Sequence, residues 1–366
     1  MLSSKLCERA CPPKPLGRRR VRNGIKMKNK FTHWTTAILI LGGLLAGVGV
    51  ISLCIGSANI PLAKLLPAFV SGENTIERTI LCEVRLPRIF LGIAVGGALS
   101  LAGVILQGMF RNPLVEPYTI GISGGAALGV CLAILLRLGK SFGVWSLPFA
   151  GSIGAAATIF VVYLLSTGKE GLNIRNLLLI GIMISFICSS LITLIMAVAK
   201  VEDLHGIIFW IMGSLEQPNL FLVKIALIVS VVALGVSYFF CLELNALALG
   251  EEEALHLGIS VENTKHLLFI LAAVLTGLSV SVAGIIGFVG LVVPHFMRLF
   301  LGGDHRILLI ASWLCGGVFL VFCDTLARTV ISPTELPVGV VTGLLGGIIF
   351  VYVLCQRPVG EKRCSL

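Results

Sequence analysis

The sequence predicts an all-α, polytopic integral membrane protein, and three observations lead to this prediction. Hydrophobic residues make up 57% of the 366 residues, above the roughly 45–50% apolar usage of soluble domains. Uncharged runs of about 20 residues, long enough to cross a bilayer, recur along most of the chain. The stretches between these runs are too short for a sizeable soluble domain.

The apolar runs define the candidate spans, which are residues 35–55, 89–110, 118–136, 143–166, 176–199, 225–241, 267–303, 307–323 and 336–356. The run 267–303 is too long for one crossing and suits two short ones. It contains Gly284, Gly287, Gly290 and Pro294, where a helix can break. The chain therefore has ten spans if this run breaks and nine if it does not. Basic tails at both ends favour an even number, and hence ten.

The net charge of +10 is concentrated before the first span, where ten of the 28 basic residues precede His33. Basic flanks favour the cytoplasmic side, so residues 1–33 and 357–366 are predicted to be cytoplasmic tails around a transmembrane domain, 34–356. Met27 offers a second start, which leaves open whether 1–26 are translated. Nucleic-acid binding is disfavoured because the charge merely flanks a span. The eleven cysteines mostly lie singly in apolar runs, which disfavours disulfide or metal frameworks.

The spans lack the acid, base and nucleophile that an intramembrane enzyme needs. The stretch RLGKSFG (137–143) is not a phosphate-binding loop, because that motif requires glycine where Ile134 stands. A transporter without an ATPase site uses an ion gradient or a separate ATPase. Gradient-driven carriers generally need ion sites at mid-depth, and these spans contain few acids, so a separate ATPase is favoured. A gradient-driven secondary transporter is the alternative.

A short acidic segment lies between the sixth and seventh spans, and we call its three carboxylates Glu251, Glu252 and Glu253 the acidic island. Acids at the start of a helix favour the positive end of its dipole, and Gly258 can cap the end. The segment is therefore predicted to be a short helix. It is either a solvated loop helix or the surface on which an ATPase acts.

Four motifs in order resemble the permeases of ATP-binding cassette importers of the FecCD type, which take up iron-siderophores, haem or cobalamin. They are EVRLPRIFLGIAVGGALSLAGVILQGMFRNPLVEPYTIGISGGAALG (83–129), GEEEALHLGI (250–259), AGIIGFVGLVVPHFMRLFLGGDHR (283–306) and DTLART…PTELPVGVVTGLLGG (324–347). The resemblance covers roughly residues 35–356.

The resemblance implies ten helices per subunit, a homodimer or pseudo-dimer, and alternating access in the bacterial plasma membrane with both termini cytoplasmic. Two separate ATP-binding subunits would dock on the cytoplasmic face, and an extracytoplasmic substrate-binding protein would deliver the ligand. No resident cofactor or metal is implied. The coupling region is 244–263, with its contacts at Gly250, Glu251, Glu252, Glu253, Ala254, Leu255 and Gly258.

The resemblance also implies that Arg85, Arg88 and Arg328 dock the binding protein, meeting its glutamates at the outer rim. The alternative for Arg85 and Arg88 is interfacial snorkelling. Asp324 lies four residues before Arg328, so these two either pair or leave Arg328 for a partner.

On the cytoplasmic side, Arg111 and Asn112 are expected to belong to the ATPase-facing surface. Asp304 is expected to cap the next helix, and His295 to be structural. Helices five and ten are expected to line the pathway. Ile174 and Arg175 are bulkier than the small hydroxyl residues of some relatives, so no gate residue is assigned.

Overall fold

A computed structural model describes residues 16–56, 60–61, 76–139, 143–168, 171–172, 174–216, 219–332 and 334–355. The predicted tail 357–366 lies outside these residues, and so do residues 1–15 of the tail 1–33. The described chain is almost entirely helical, which confirms the all-α prediction. One exception is a pair of two-residue antiparallel strands, β1 (Thr167–Gly168) and β2 (Gly171–Leu172).

Thirteen α-helices longer than one turn make up the described structure. They are α1 (Leu16–Cys54), α2 (Leu86–Met109), α3 (Ile122–Leu135), α4 (Ser146–Ser166), α5 (Ile174–Val198), α6 (Val201–Ile211), α7 (Leu220–Phe239), α8 (Cys241–Leu249), α9 (Glu251–His256), α10 (Val261–Ala283), α11 (Val289–Leu301), α12 (His305–Thr329) and α13 (Val338–Cys355). A turn of α-helix (Ile76–Thr79) and a π-helical turn (Ile80–Arg85) lead into α2. A 3₁₀ turn (Pro117–Ile120) leads into α3.

Ten helices in the described residues are apolar. Seven of them are long enough to cross a membrane, and three are shorter. The short ones are α3, α11 and the part of α13 from Val338 to Val353. Each of the ten coincides with a predicted span. The first helix starts earlier than its predicted span, at Leu16, and its apolar part is Phe31–Cys54.

The long run 267–303 is broken into α10 and α11, as the ten-span prediction requires. The break covers residues 284–288, and both ends have positive φ, +71° at Gly284 and +68° at Phe288. The predicted breakpoint Pro294 instead lies inside α11. Gly290, just after the break, lies against Leu99 in the middle of α2. The break is therefore deep within the bundle.

The core of the bundle is α2. In its most apolar stretch 89% of the residues are buried, whereas in α1 the share is 6%. Its small residues allow close backbone approach, which holds membrane helices together in the absence of a hydrophobic driving force. A Cβ on Gly96 would lie 2.7 Å from the carbonyl carbon of Gly316 in α12. The backbones of α3 and α4 approach each other equally closely at Gly125 and Gly154.

Candidate functional site

The acidic island forms a separate short helix, α9, with a glycine at each end. Gly250 is its N-cap at φ +153°, and the three acids occupy its first turn. At the other end Gly258 has φ +81°, its N–H binds the carbonyl of Leu255, and the N–H of Ile259 binds that of Ala254. A left-handed residue that redirects the chain after a helix favours glycine. The predicted helix and its C-terminal cap are thus confirmed.

An ion pair and a buried alanine fix α9 on the bundle. Lys265 of α10 is buried, and its Nζ lies 3.1 Å from Glu251 and 2.7 Å from Glu262. Ala254 is fully buried. Glu252 and Glu253 remain exposed, and so do Leu255 and Leu257 at 59% and 65%. The free face of α9 thus combines carboxylates with two leucines.

Arg111 lies beside this helix and Asn112 shapes the loop that follows α2. Arg111 is exposed at φ +49°, and its Nη1 lies 3.6 Å from the position of a Cβ on Gly250. Asn112 accepts a 3.0 Å hydrogen bond from the N–H of Leu114, which forms a tight turn. The structure thus brings Arg111 to the island, while Asn112 has a conformational role in its own loop.

A second set of contacts joins α8 to the turn between α11 and α12. Asp304 accepts from the N–H of Arg306 at 3.2 Å, which confirms the predicted helix cap. Its carboxylate also accepts from Asn245 of α8 at 3.2 Å. The side-chain oxygen of Asn245 in turn accepts from the N–H of His305 at 2.9 Å. The turn therefore holds the helix that precedes the island.

The three predicted docking arginines lie at the opposite end of α12. This helix has 25 residues, about 37 Å, with His305 at the island end and Arg328 at the other. All three arginines are buried within the chain. We call this end, with Arg85, Arg88 and Arg328, the arginine face.

Each arginine has an internal partner. Arg328 lies 2.9 Å from Asp324 through Nε and donates to Ser52 at 2.7 Å through Nη2. Arg85 donates to the backbone carbonyl of Leu53 at the end of α1. Of the two alternatives for Asp324, pairing with Arg328 is therefore the one found within the chain. Interfacial snorkelling does not describe the buried side chains of Arg85 and Arg88.

Arg88 binds acids from two loops that come from distant parts of the sequence. Its Nη2 donates to Glu335 at 2.7 Å and lies 3.7 Å from Glu216. Partial burial raises the pKa of Glu335, but the hydrogen bond and charge of Arg88 outweigh it and hold that pKa below its ordinary value. Arg88, Glu216, Asp324, Arg328 and Glu335 all line one cavity of about 120 Å³. Glu216 and Glu335 were not among the predicted site residues.

Glu116 and Tyr118 are further polar residues that the sequence analysis did not identify. Glu116 accepts from the N–H of Phe288 at 2.6 Å, and the hydroxyl of Tyr118 donates to the carbonyl of Ile286 at 2.9 Å. These bonds satisfy the broken segment between α10 and α11, where unpaired backbone groups are costly. The only available sequence signal is an acid beside Pro117, just before a span.

In the described residues, no three His, Cys, Asp or Glu side chains are grouped so that they could hold a metal ion. A cavity of about 790 Å³ is lined almost wholly by apolar side chains of α1, α11, α12 and α13, and none of the predicted site residues lines it. Such a groove suits lipid better than a polar ligand.

The sequence matches the model of the FecCD transport family over residues 44–356. It is 40% identical over 307 residues to the cobalamin import system permease protein BtuC of Halobacterium salinarum, covering 83% of this chain and 82% of that one. It is 39% identical over 325 residues to the hemin transport system permease protein HmuU of Yersinia pestis, covering 87% and 96%.

The fold matches a solved inward-facing conformation of a metal-chelate type ABC transporter. The TM-score is 0.77 at 30% sequence identity, covering 88% of this chain and 99% of that one. The fold is therefore shared along nearly the whole length of that transporter chain.

Proposed function

Because the chain belongs to the FecCD transport family, and so is a membrane-spanning permease subunit of an ATP-binding cassette importer, we propose that it imports a metal-chelate ligand by alternating access. The ligand classes are an iron-siderophore, haem or cobalamin, which follow from the resemblance and from relatives named for cobalamin and hemin transport. The subunit works as a homodimer or a pseudo-dimer. Two separate ATP-binding subunits supply the energy, and the chain holds no cofactor.

The observation that carries this proposal is the geometry of α9. A six-residue helix is anchored by Lys265 and Ala254, yet it exposes two acids and two leucines away from the bundle. Exposed apolar and charged side chains on a rigidly held element are typical of a protein interface. We assign this face to the ATPase, within region 244–263, with contacts at Glu251, Glu252, Glu253, Leu255 and Gly258. Gly250 and Ala254 are buried and hold the helix in place instead. Arg111 extends the same surface, and Asn112 shapes the loop beside it.

The arginine face is assigned to the substrate-binding protein. It lies at the other end of α12 from the island region, so an ATPase at the island would leave it on the extracytoplasmic side. Charge pairs at a rim steer encounter and fix register more than they add affinity. Arg85, Arg88 and Arg328 would then meet carboxylates of the binding protein after rearrangement of their internal partners.

Translocation is assigned to a pathway between two subunits, lined by α5 and α13. Hydroxyls of α5 are exposed on its surface, and Ser190 and Thr193 each bind a carbonyl one turn back, both at 2.9 Å. Both helices also expose long rows of apolar side chains, which a second subunit would cover. Motion of α9 would be transmitted directly to α10, which continues from it. No residue is assigned as the gate.

The alternative, a gradient-driven secondary transporter, would need acids free to bind an ion or proton at mid-depth. Among the described residues, Glu116 near the break between α10 and α11 is engaged by the N–H of Phe288, and Asp324 near the outer end of α12 is engaged by Arg328. This observation supports the ATP-driven proposal. A carrier of the alternative type would keep working without an ATPase and would stop when the ion gradient collapsed.

The test of coupling is the variant Glu251→Ala, Glu252→Ala, Glu253→Ala with Gly258→Arg, purified with its ATPase from native membranes. We expect loss of ATPase co-purification and of uptake, while the variant still inserts in the membrane. Glu202→Gln, at the start of α6, is the control for loss of an acid elsewhere. Unchanged uptake and co-purification in the quadruple variant would refute the coupling assignment.

The substrate is identified by uptake in a strain lacking this chain, offered haem, ferric siderophore or cobalamin one at a time. Loss on one ligand, restored by the wild-type gene and not by the quadruple variant, would establish the ligand class. Uptake of all three at the wild-type rate, in a strain with no second importer of this family, would contradict the proposed cargo.

A further inference from the structure

Two acids cover the arginine face from within the chain. Glu335 lies in the segment TELP (334–337) immediately before α13, and Glu216 follows α6. The two segments are joined by a hydrogen bond from the N–H of Val338 to the carbonyl of Gly213, and both carboxylates lie close to Nη2 of Arg88.

The order of exposure shows which group faces solvent. The side chain of Arg88 is 7% exposed, that of Glu335 is 38% exposed, and that of Glu216 is 78% exposed. The two carboxylates therefore lie between the guanidinium and solvent. A carboxylate arriving from outside cannot reach Arg88 without displacing at least Glu335, which makes the closer contact.

Among the described residues that pair at this face, three carboxylates match the three arginines in number. They are Asp324, Glu216 and Glu335. A set of charges that balances attracts an acidic partner weakly, since steering depends on unbalanced potential. Removing the charge of Glu335 alone would leave this set with a net charge of +1.

We propose that Glu335 is an internal competitor of the partner's carboxylate: it covers Arg88 in the resting permease and is exchanged for an acidic side chain when the substrate-binding protein docks. This inference rests on the docking role given to the arginines above and adds the residue that sets the strength of docking. Only a partner with a carboxylate positioned to replace Glu335 gains the buried charge pair. Glu335 thereby selects against weakly acidic or misaligned proteins. Glu216 is the outer and weaker member of the same cover.

The first experiment measures the cover without any partner. The assembled importer in nanodiscs is treated with phenylglyoxal, which modifies arginine, and Arg88 is followed by peptide mass spectrometry. In Glu335→Ala we expect Arg88 to react about fivefold faster than in the wild type. This factor corresponds to the loss of an ion pair worth about 1 kcal/mol. The control is Glu83→Gln, an exposed acid next to Arg85 in sequence, which should change nothing. Equal rates in wild type and Glu335→Ala would overturn the inference.

The second experiment measures docking of the importer's own unloaded substrate-binding protein by biolayer interferometry at low salt. We expect Glu335→Gln to lower the Kd about fivefold, again about 1 kcal/mol, and the gain to vanish when Arg88→Gln is added. Gln keeps the size and an acceptor, and thermal melts confirm that each variant is folded. A Kd that is unchanged or raised in Glu335→Gln, or a gain that persists without Arg88, would overturn the inference.

The two proposals fail in distinguishable ways. If Arg88→Gln leaves docking at wild-type strength, the docking role of Arg88 is refuted, and the competition is refuted with it. If Arg88→Gln weakens docking while Glu335→Gln does not strengthen it, docking stands and only the competition is wrong.

Discussion

The closest backbone contact of α2 is a site where one methyl group should cause a measurable loss of stability. Gly103 faces Gly290 just beyond the break between α10 and α11. A Cβ on Gly103 would lie 2.8 Å from the carbonyl carbon of Gly290 and closer still to its oxygen. Because both neighbours are backbone atoms, no side-chain rotation can relieve the clash. Gly103→Ala must push α11 away from α2.

The expected cost lies at the upper end of overpacking, about 3 kcal/mol. For about 300 ordered residues, an unfolding entropy of 2.1 cal/mol/K per residue corresponds to roughly 0.6 kcal/mol/K, so the melting temperature should fall by about 5 °C. The measurement is a thermal melt of the purified permease in detergent, followed by intrinsic fluorescence.

The matched control is Gly47→Ala in α1, where a Cβ would meet nothing within 4 Å. Alanine favours a helix over glycine by up to about 1 kcal/mol, so this variant should melt at or above the wild-type temperature. If Gly103→Ala melts within 1 °C of Gly47→Ala, the close packing described for α2 is wrong.

Three further predictions concern polar groups. Glu116→Ala should lower stability by about 1–3 kcal/mol because it leaves a buried N–H without its acceptor, whereas Glu116→Gln should recover most of the loss in the same thermal melt. Lys265→Met should lower the free energy of unfolding by about 1–2 kcal/mol, which is less than the loss of a fully buried ion pair because Glu251 stays partly hydrated. The same variant should lower the ATPase rate of the assembled importer, and an unchanged rate would contradict the anchoring role. The pKa of Glu335 is lowered in the folded protein, so its pair with Arg88 stabilises fully above the ordinary value of 4.5 and is lost as pH falls through the lower folded pKa. The difference in melting temperature between wild type and Glu335→Gln should therefore stay constant from pH 7 to about 5.5 and shrink below about 4.5; a difference that grows on acidification would contradict this sign.

The spans and the short helix α9 were predictable because both depend on local sequence. A bilayer requires about 20 apolar residues for each crossing, so residues 267–303 suited two helices, and the basic tails at both ends favoured an even number of spans. Likewise, Gly258 follows the last helical residues of the island, where a left-handed cap is most often found. These features need no knowledge of distant contacts.

The burial of the arginines was not predictable for the opposite reason. A basic residue at the end of a span indicates an interfacial position, and nothing near Arg88 in the sequence indicates otherwise. Its partners come from loops far along the chain, and Glu335 is 247 residues away. Local patterns predict which helices form, whereas this cluster depends on how those helices assemble.

The contact between Glu116 and Phe288 bears on how the chain is made. The two residues are 172 positions apart, and at 5–20 residues per second the ribosome needs roughly 10–30 s to pass from one to the other. During that interval Glu116 has been synthesised and the N–H that it binds has not. An ionised carboxylate in hydrocarbon is costly, so residues 110–121 should stay at the membrane surface until α11 is complete. Re-entry of this loop would then follow the completion of α11, and a chain released before residue 288 would expose an acidic loop to cellular quality control.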